Sequence, residues 1–136
     1  TGYLNGKELL RQLNAFDIGI IPDPVNAYND KISMNKVFEY SALGIPSVAY
    51  PLTETKRLLG KAGVYAKGDA PAELAAACAR LMQDDALRTR CADEAARLAQ
   101  QSFSWSREAG KYIAAYERLS PSAPALTAPV RIGRKH

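Results

Sequence analysis

Residues 29–50 read NDKISMNKVFEYSALGIPSVAY, and this stretch decides how the chain folds. From Lys36 the apolar residues recur at helical spacing, which predicts a helix, and Gly44 stands where a glycine commonly ends one. Pro46 follows, and Ser47 to Tyr50 form a short apolar run that predicts a buried strand. The stretch therefore predicts a polar loop, a helix, a Gly-Ile-Pro turn and a strand.

The segments on either side alternate between strand and helix patterns. Short apolar runs at 17–21 and 63–66 predict two further strands. Residues 7–15 and 53–59 have the apolar spacing of helices, with Thr53 as a candidate N-cap. Short connections in such an alternation favour right-handed βαβ units and a parallel sheet. Three more helices are then expected in a row, at 71–82, 84–101 and 104–119.

These elements predict an α/β fold: a Rossmann-like parallel sheet with flanking helices that ends in three consecutive helices. The chain has 136 residues, 47% of them hydrophobic and 24% charged, which suffices for one domain with its own core. Three strands are few for a complete doubly wound sheet. We therefore expect further strands on the N-terminal side of this chain.

Residues 120–136 differ in composition from the rest of the chain. They are rich in proline, alanine and serine, and their only charged residues are basic: Arg131, Arg134 and Lys135. We expect a folded domain at 1–119 and a disordered Pro/Ala-rich basic tail at 120–136. Because three charges of the net +4 lie in the tail, residues 1–119 are nearly neutral, and no nucleic-acid partner is expected.

Several kinds of site lack the residues they need. The single histidine is His136, so no histidine base or metal ligand is expected in the folded part. Cys78 and Cys91 lie in alanine-rich helical sequence and are expected to be reduced. The sequence has no signal-peptide pattern and no apolar run of about 20 residues, so a cytoplasmic location is predicted.

The loop before the predicted helix has the features of an anion-binding site. In open α/β sheets, ligands bind beyond the carboxyl ends of the strands, where this loop lies. The helix that begins near Asn35 directs free N–H groups and the positive end of its dipole into that crevice, which favours a diphosphate. Lys31 and Lys36 add positive charge nearby. Glu39, if it faces the crevice, can accept hydrogen bonds from a ribose diol.

The same residues also have ordinary structural interpretations. A glutamate in a first helical turn complements the helix dipole, Asn35 is a common N-cap type, and Lys36 can be a solvated side chain. From the residues alone, both interpretations stay open.

The stretch extended to NDKISMNKVFEYSALGIPSVAYPLTETK resembles the donor-site signature of the family-4 glycosyltransferases of the GT-B fold. The subset with N-D-K-x-S-x-N-K-x-x-E-Y-x-A-hydrophobic-G fits best. The flanks agree as well: TGYL and AFDIGIIP before the stretch, and FSWSREAGKYIAAYERL after it, are similar to the corresponding parts of that family. The resemblance covers residues 1–119.

The resemblance implies a retaining transfer of a hexosyl type, from a nucleotide-diphosphate sugar to an acceptor in polysaccharide or glycoconjugate synthesis. This portion would bind the donor. Glu39 matches a ribose-binding glutamate, the backbone of 33–35 matches the segment that holds diphosphate and sugar, and the main chain of 3–4 matches the segment that meets the base. The positions implied in donor binding are Tyr3, Leu4, Asn29, Asp30, Ser33, Met34, Asn35, Lys36, Glu39 and Glu54.

Two departures from the family pattern stand out. The usual first glutamate, eight residues before Glu39, is replaced by Lys31, so Asn29 or Asp30 would take over the contact with the sugar. The family also has an N-terminal acceptor domain, and opening βα units with a basic pair that neutralises the diphosphate. Neither is present here, so the chain is expected to be a truncated C-terminal domain that transfers no sugar alone.

The remaining expectations follow from this resemblance. A sugar or lipid-linked acceptor would bind through the missing N-terminal domain. No cofactor and no divalent metal are expected, since the helix terminus and cations supply positive charge. No catalytic side chain is identified. The resemblance leaves open a peripheral association of the full-length enzyme with the inner face of the membrane.

Two other interpretations stay open. The chain would be a non-catalytic Rossmann-like nucleotide-binding or scaffold module, or a flavodoxin-like or Rossmann protein for another nucleotide. The last is weakened because no G-x-G-x-x-G or P-loop pattern follows a predicted strand. Binding of UDP or GDP that is lost in Glu39→Ala would favour the glycosyltransferase. A preference for NAD or FMN would favour the Rossmann protein.

Overall fold

A computed structural model describes residues 2–119, so the predicted tail at 120–136 lies outside the described residues. The strands are β1 (Gly19–Ile21), β2 (Ser47–Ala49) and β3 (Gly63–Tyr65). The helices are α1 (Gly6–Leu13), α2 (Asn35–Ala42), α3 (Thr53–Leu59), α4 (Pro71–Gln83), α5 (Asp85–Gln101) and α6 (Trp105–Leu119). Two 3-10 turns, Asn29–Lys31 and Gly60–Ala62, precede α2 and β3.

The three strands form one parallel sheet in the order β1-β2-β3. Gly19 pairs with Ser47, which in turn pairs with Gly63, so the strands are in step at their first residues. Parallel neighbours need a crossover connection, and α2 and α3 supply the two crossovers. The predicted α/β fold, with a parallel sheet, flanking helices and a run of closing helices, is confirmed.

Two apolar clusters cover the two faces of the sheet. Neighbouring residues of β2 point to opposite sides, so Val48 belongs to one cluster and Ala49 to the other. The first cluster comprises Ile21, Val37, Ala49, Leu58, Leu59, Ala62 and Ala95. The second comprises Val48, Val64, Ala77, Leu81 and Cys91. All three residues of β2 are buried, as expected for the central strand of a sheet covered on both faces.

The predicted end of α2 is a Schellman motif. Gly44 has φ +67°, a left-handed conformation that glycine adopts without steric cost. The N–H of Ile45 donates to the carbonyl of Tyr40 at 2.9 Å, and the N–H of Gly44 donates to the carbonyl of Ser41 at 3.0 Å. These bonds satisfy the last carbonyls of the helix and turn the chain back toward the sheet.

The start of α3 differs from the prediction. Thr53 is the first residue inside the helix, Leu52 holds the N-cap position, and no side chain of the N-cap residue accepts a hydrogen bond. The carboxylate of Asp30 instead accepts a bond from the backbone N–H of Thr53 at 2.7 Å. The acceptor thus comes from a loop 23 residues earlier. Local capping preferences cannot indicate such a long-range partner.

Helix α2 packs closely on β1. A methyl group at Gly19 would lie 2.8 Å from Cγ of Tyr40, so the ring of Tyr40 occupies the space over this glycine. Phe38, from the same helix, meets Phe103 edge to face with ring centroids 4.9 Å apart. These contacts fix how α2 lies over the sheet, and therefore where its N-terminus points.

The chain divides into two compact units after Ser104. The first unit holds the sheet and both apolar clusters. In the second, the described part is α6, whose Tyr112 ring lies 6.0 Å from the Trp105 ring and 5.3 Å from the Tyr116 ring. The predicted division at residue 119 remains a prediction. Among the described helices, none is long and apolar enough to cross a bilayer.

Candidate functional site

The N-terminus of α2 lies at the carboxyl end of β1. The ammonium of Lys36, in the first turn of α2, pairs with a carboxylate oxygen of Asp23 at 3.0 Å. Asp23 comes two residues after the last residue of β1. The ion pair therefore places the start of α2 at the edge of the sheet where α/β folds bind ligands.

The two faces of α2 have different surroundings. Val37 and Ser41 are buried, whereas Asn35 and Glu39 are exposed and lie one turn apart on the opposite face. The N-cap residue is Met34, whose side chain accepts no hydrogen bond. The N–H of Val37 donates to the carbonyl of Met34 at 3.0 Å, and the other first-turn N–H groups have no side-chain cap, an arrangement that suits an anionic ligand.

Glu39 is the free carboxylate of this region. Within residues 2–119, no hydrogen bond or ion pair engages its side chain. Lys36 is different, because its ammonium already has Asp23 as a partner and is 40% exposed. A phosphate at the helix terminus would therefore compete with Asp23 for Lys36, whereas Glu39 is available to a ligand hydroxyl without competition.

The loop before α2 is held by its own side chains. The amide nitrogen of Asn29 donates to the carbonyl of Pro24 at 2.8 Å, and the backbone N–H of Asn29 donates to the side chain of Asn26 at 2.8 Å. Asp30 accepts from Thr53 at the start of α3. The two residues proposed to replace the missing first glutamate are therefore both engaged within the protein.

A second link joins the same loop to α3. The hydroxyl of Ser33 donates to Glu54 at 2.7 Å, and the guanidinium of Arg57 donates to both oxygens of Glu54 at 2.7 Å. The hydrogen bonds from Arg57 and then Ser33 lower the pKa of Glu54 to about 2. Glu54 is therefore ionised at neutral pH, and the same pairing raises the pKa of Arg57.

The residues predicted to meet the base are not joined to the others. Tyr3 is 92% exposed and precedes α1, a helix without buried residues. Within residues 2–119, no hydrogen bond links Tyr3 or Leu4 to the loop or to α2. The structure thus links the loop residues Asp30 and Ser33 to the start of α3, whereas within residues 2–119 the pair at 3–4 makes no such link.

Two residues of this region were not anticipated from the sequence. Asp23 pairs with Lys36, and Arg57 pairs with Glu54. Asp23 could have been found from the sequence, because it lies two residues after a predicted strand, in a loop already expected at the ligand-binding edge. The indication for Arg57 is weaker: it lies three residues after Glu54, a spacing at which opposite charges on a helix meet.

Four hollows in the described part of the chain lie away from these residues. One of about 630 Å³ runs along β1 and is lined by side chains that include Phe16, Ile20, Cys78 and Met82. None of the predicted donor residues lines it. In the part of the chain that the structure describes, no group of three His, Cys, Asp or Glu side chains could hold a metal ion. The expectations about metal and cofactor remain predictions.

Comparison with known proteins decides the family. The model of a family described as glycosyl transferase-like matches residues 1–114, which is most of the chain. The chain belongs to the glycosyl transferase-like family. The match includes β1, the loop, α2 and α3, and so contains the whole region built from Asp23, Lys36, Glu39 and Glu54.

A curated relative supports the same assignment. Over 84 residues the chain is 34% identical to a protein of Bacillus subtilis (strain 168) described as "Putative teichuronic acid biosynthesis glycosyltransferase TuaH". The aligned part is 60% of this chain and 21% of that protein, so the chain spans a minor part of the relative's length.

Proposed function

We propose that this member of the family is the donor-binding part of a retaining, family-4 glycosyltransferase of the GT-B fold. It would bind a nucleotide-diphosphate sugar, whose sugar is transferred to an acceptor in polysaccharide or glycoconjugate synthesis. The observation that carries the proposal is the uncapped N-terminus of α2 at the carboxyl edge of a parallel sheet, with Lys36 in its first turn and Glu39 unengaged. The family match over the same residues supports it.

Each residue has a role that its surroundings allow. The first-turn N–H groups of α2 would hold the diphosphate, and Lys36 would exchange Asp23 for a phosphate oxygen. Glu39 would accept hydrogen bonds from the ribose hydroxyls. The main chain at Tyr3 and Leu4 would meet the base.

The proposed transfer needs charge stabilisation more than a protein nucleophile. The bond between the anomeric carbon and the diphosphate oxygen breaks, and an acceptor hydroxyl oxygen forms the new bond on the same face of the sugar. The acceptor proton leaves toward the departing phosphate. Positive groups fixed where negative charge develops lower the barrier, and the helix terminus and Lys36 are such groups. We assign no catalytic side chain in this chain.

The proposal extends to the rest of the enzyme. Since the chain spans 21% of the TuaH relative, we propose that a second domain supplies the acceptor site and the other wall of the donor cleft. We propose that residues 1–136 alone transfer no sugar, that no divalent metal is required, and that the enzyme works on the cytoplasmic side. Whether it contacts the inner face of the membrane depends on the acceptor.

Titration calorimetry with a panel of nucleotides tests the proposed ligand class. UDP or GDP is expected to bind the chain, and NAD and FMN are expected to bind at least tenfold more weakly, because α2 offers one anion site and no glycine-rich dinucleotide loop. Glu117→Gln removes one negative charge from α6. It is the control for the loss of charge in Glu39→Ala and should leave the affinities unchanged. Preferential binding of NAD or FMN would contradict the proposal.

A further inference from the structure

We propose that Asp30 and Glu54 are positioning residues that clasp the loop before α2 to the start of α3. We call the two links, Asp30 to Thr53 and Ser33 to Glu54, the loop clasp. The inference rests on the proposed function, since the loop it fixes leads directly into the helix terminus that would hold the diphosphate. It assigns to Asp30 and Glu54 a role through the loop instead of contact with the donor.

The first link is a helix cap supplied from a distance. Asp30 lies in the 3-10 turn Asn29–Lys31, and its carboxylate accepts from the N–H of Thr53 at 2.7 Å. That N–H is one of the first-turn donors that a helix cannot satisfy by itself. Leu52, at the N-cap, has no side chain able to accept it. Because α3 needs an acceptor and Asp30 supplies it, the loop is tied to the helix.

The second link lies three residues further along the same loop. Ser33 donates to Oε1 of Glu54 at 2.7 Å, and Arg57 donates to both oxygens of that carboxylate at 2.7 Å. Arg57 orients Glu54 because a guanidinium binds both carboxylate oxygens in a fixed plane. The pKa of Glu54 is lowered to about 2 by these hydrogen bonds, so Glu54 is ionised and the link persists throughout the neutral range.

The position of the two links explains what they do. Both anchor points in the loop precede Met34 and Asn35, where α2 begins. A loop fixed at 30 and 33 presents the following backbone N–H groups in one arrangement, so a ligand does not have to order them on binding. The N–H of Thr53 holds the Asp30 carboxylate against the start of α3. The structure therefore favours positioning over direct contact.

Nucleotide binding to paired variants tests this. Asp30→Ala and Ser33→Ala are expected to weaken binding about fivefold or more, since each removes a hydrogen bond that orders the loop. Asp30→Asn keeps an acceptor oxygen and Ser33→Thr keeps a hydroxyl. Both variants are expected to retain most of the wild-type affinity. A direct contact through the charge of Asp30 would not be restored by asparagine, so failure of Asp30→Asn to recover would overturn the proposal.

Two probes separate positioning from sugar contact. Asp30→Ala should weaken the binding of UDP and of UDP-glucose by the same factor, because a disordered loop affects the diphosphate in both. If the chain prefers guanosine, the same holds for GDP and GDP-mannose. A loss confined to the nucleotide-sugar would mean that Asp30 touches the sugar, and the proposal would be wrong. Asp84→Ala is the control, since Asp84 also caps a helix, but locally: it is the N-cap residue of α5 and accepts from the N–H of Leu87 at 2.8 Å. It should leave both affinities unchanged.

Hydrogen exchange distinguishes a failed clasp from a failed function. In Asp30→Ala, amides of residues 29–36 should exchange faster, whereas Asp84→Ala should affect only the start of α5. If the wild-type chain bound no nucleotide, the proposed function would fail, and faster exchange would still support the clasp. Unchanged exchange at 29–36 in Asp30→Ala would overturn the clasp whether or not nucleotide binds.

Discussion

Glu54 stays ionised far below the pH at which a free glutamate protonates. Its side chain is 18% exposed, and its carboxylate accepts hydrogen bonds from Ser33 and from Nε and Nη2 of Arg57. The ionised form is favoured in the folded chain and not in the unfolded chain, so the residue links stability to pH.

The sign of this linkage follows from the two pKa values. Glu54 has a pKa of about 2 in the folded chain, against 4.5 for an unperturbed glutamate. Its contribution is therefore fully present above pH 4.5 and is lost as the pH falls toward 2. We expect wild type to have a higher Tm than Glu54→Gln at pH 7, with the two converging near pH 2. A Tm difference that does not shrink below pH 4.5 would contradict the pairing.

The packing of α2 against β1 gives a prediction for a pair of elements. Gly19→Ala is expected to destabilise the chain by about 1–3 kcal/mol, because the new methyl group would displace the Tyr40 ring and overpack the contact. The denaturant midpoint measures this change. Gly110→Ala is the matched control: nothing lies within 4 Å of a methyl group there, and alanine in a helix interior is expected to stabilise by about 0.5–1 kcal/mol. Equal effects of the two substitutions would refute the close contact.

The elements show which parts of the fold the sequence can predict. The end of α2 was predictable, because glycine is the residue type that most often ends a helix in the left-handed conformation, and Gly44 adopts it. The first residue of α3 was not, because Thr53 is a good capping type by itself and the true acceptor is Asp30. Local rules find features decided by neighbouring residues, and miss those decided by tertiary contacts.

The same division applies to the candidate site. Helix α2, its exposed Glu39 and the first-turn Lys36 follow from spacing and periodicity. The partner of Lys36 does not, because Asp23 meets it only after β1 and α2 have packed. The engagement of Asn29 and Asp30 within the loop was also hidden, since a polar side chain in a loop looks alike whether it faces a ligand or the protein.

For the whole molecule, the open edge of β1 has a consequence in solution. Among the described strands, none pairs with the outer edge of β1, and Ile20 there is 44% exposed. Unpaired edges with apolar side chains promote association between chains. We expect concentration-dependent association of wild type by light scattering, and less of it in Ile20→Lys. Thr89→Lys, which adds the same charge on α5, is the control. A monomeric wild type at high concentration would contradict this expectation.

We propose that α2 and the loop before it bind a nucleoside diphosphate, with Glu39 on the ribose. Titration calorimetry of wild type and Glu39→Ala with UDP and GDP tests it most directly. We predict that one of the two nucleotides binds wild type, and that Glu39→Ala weakens that binding at least tenfold, about 1.4 kcal/mol. A cooperative melt shows that wild type is folded. If folded wild type binds neither nucleotide, or if Glu39→Ala binds as tightly as wild type, this proposal is contradicted.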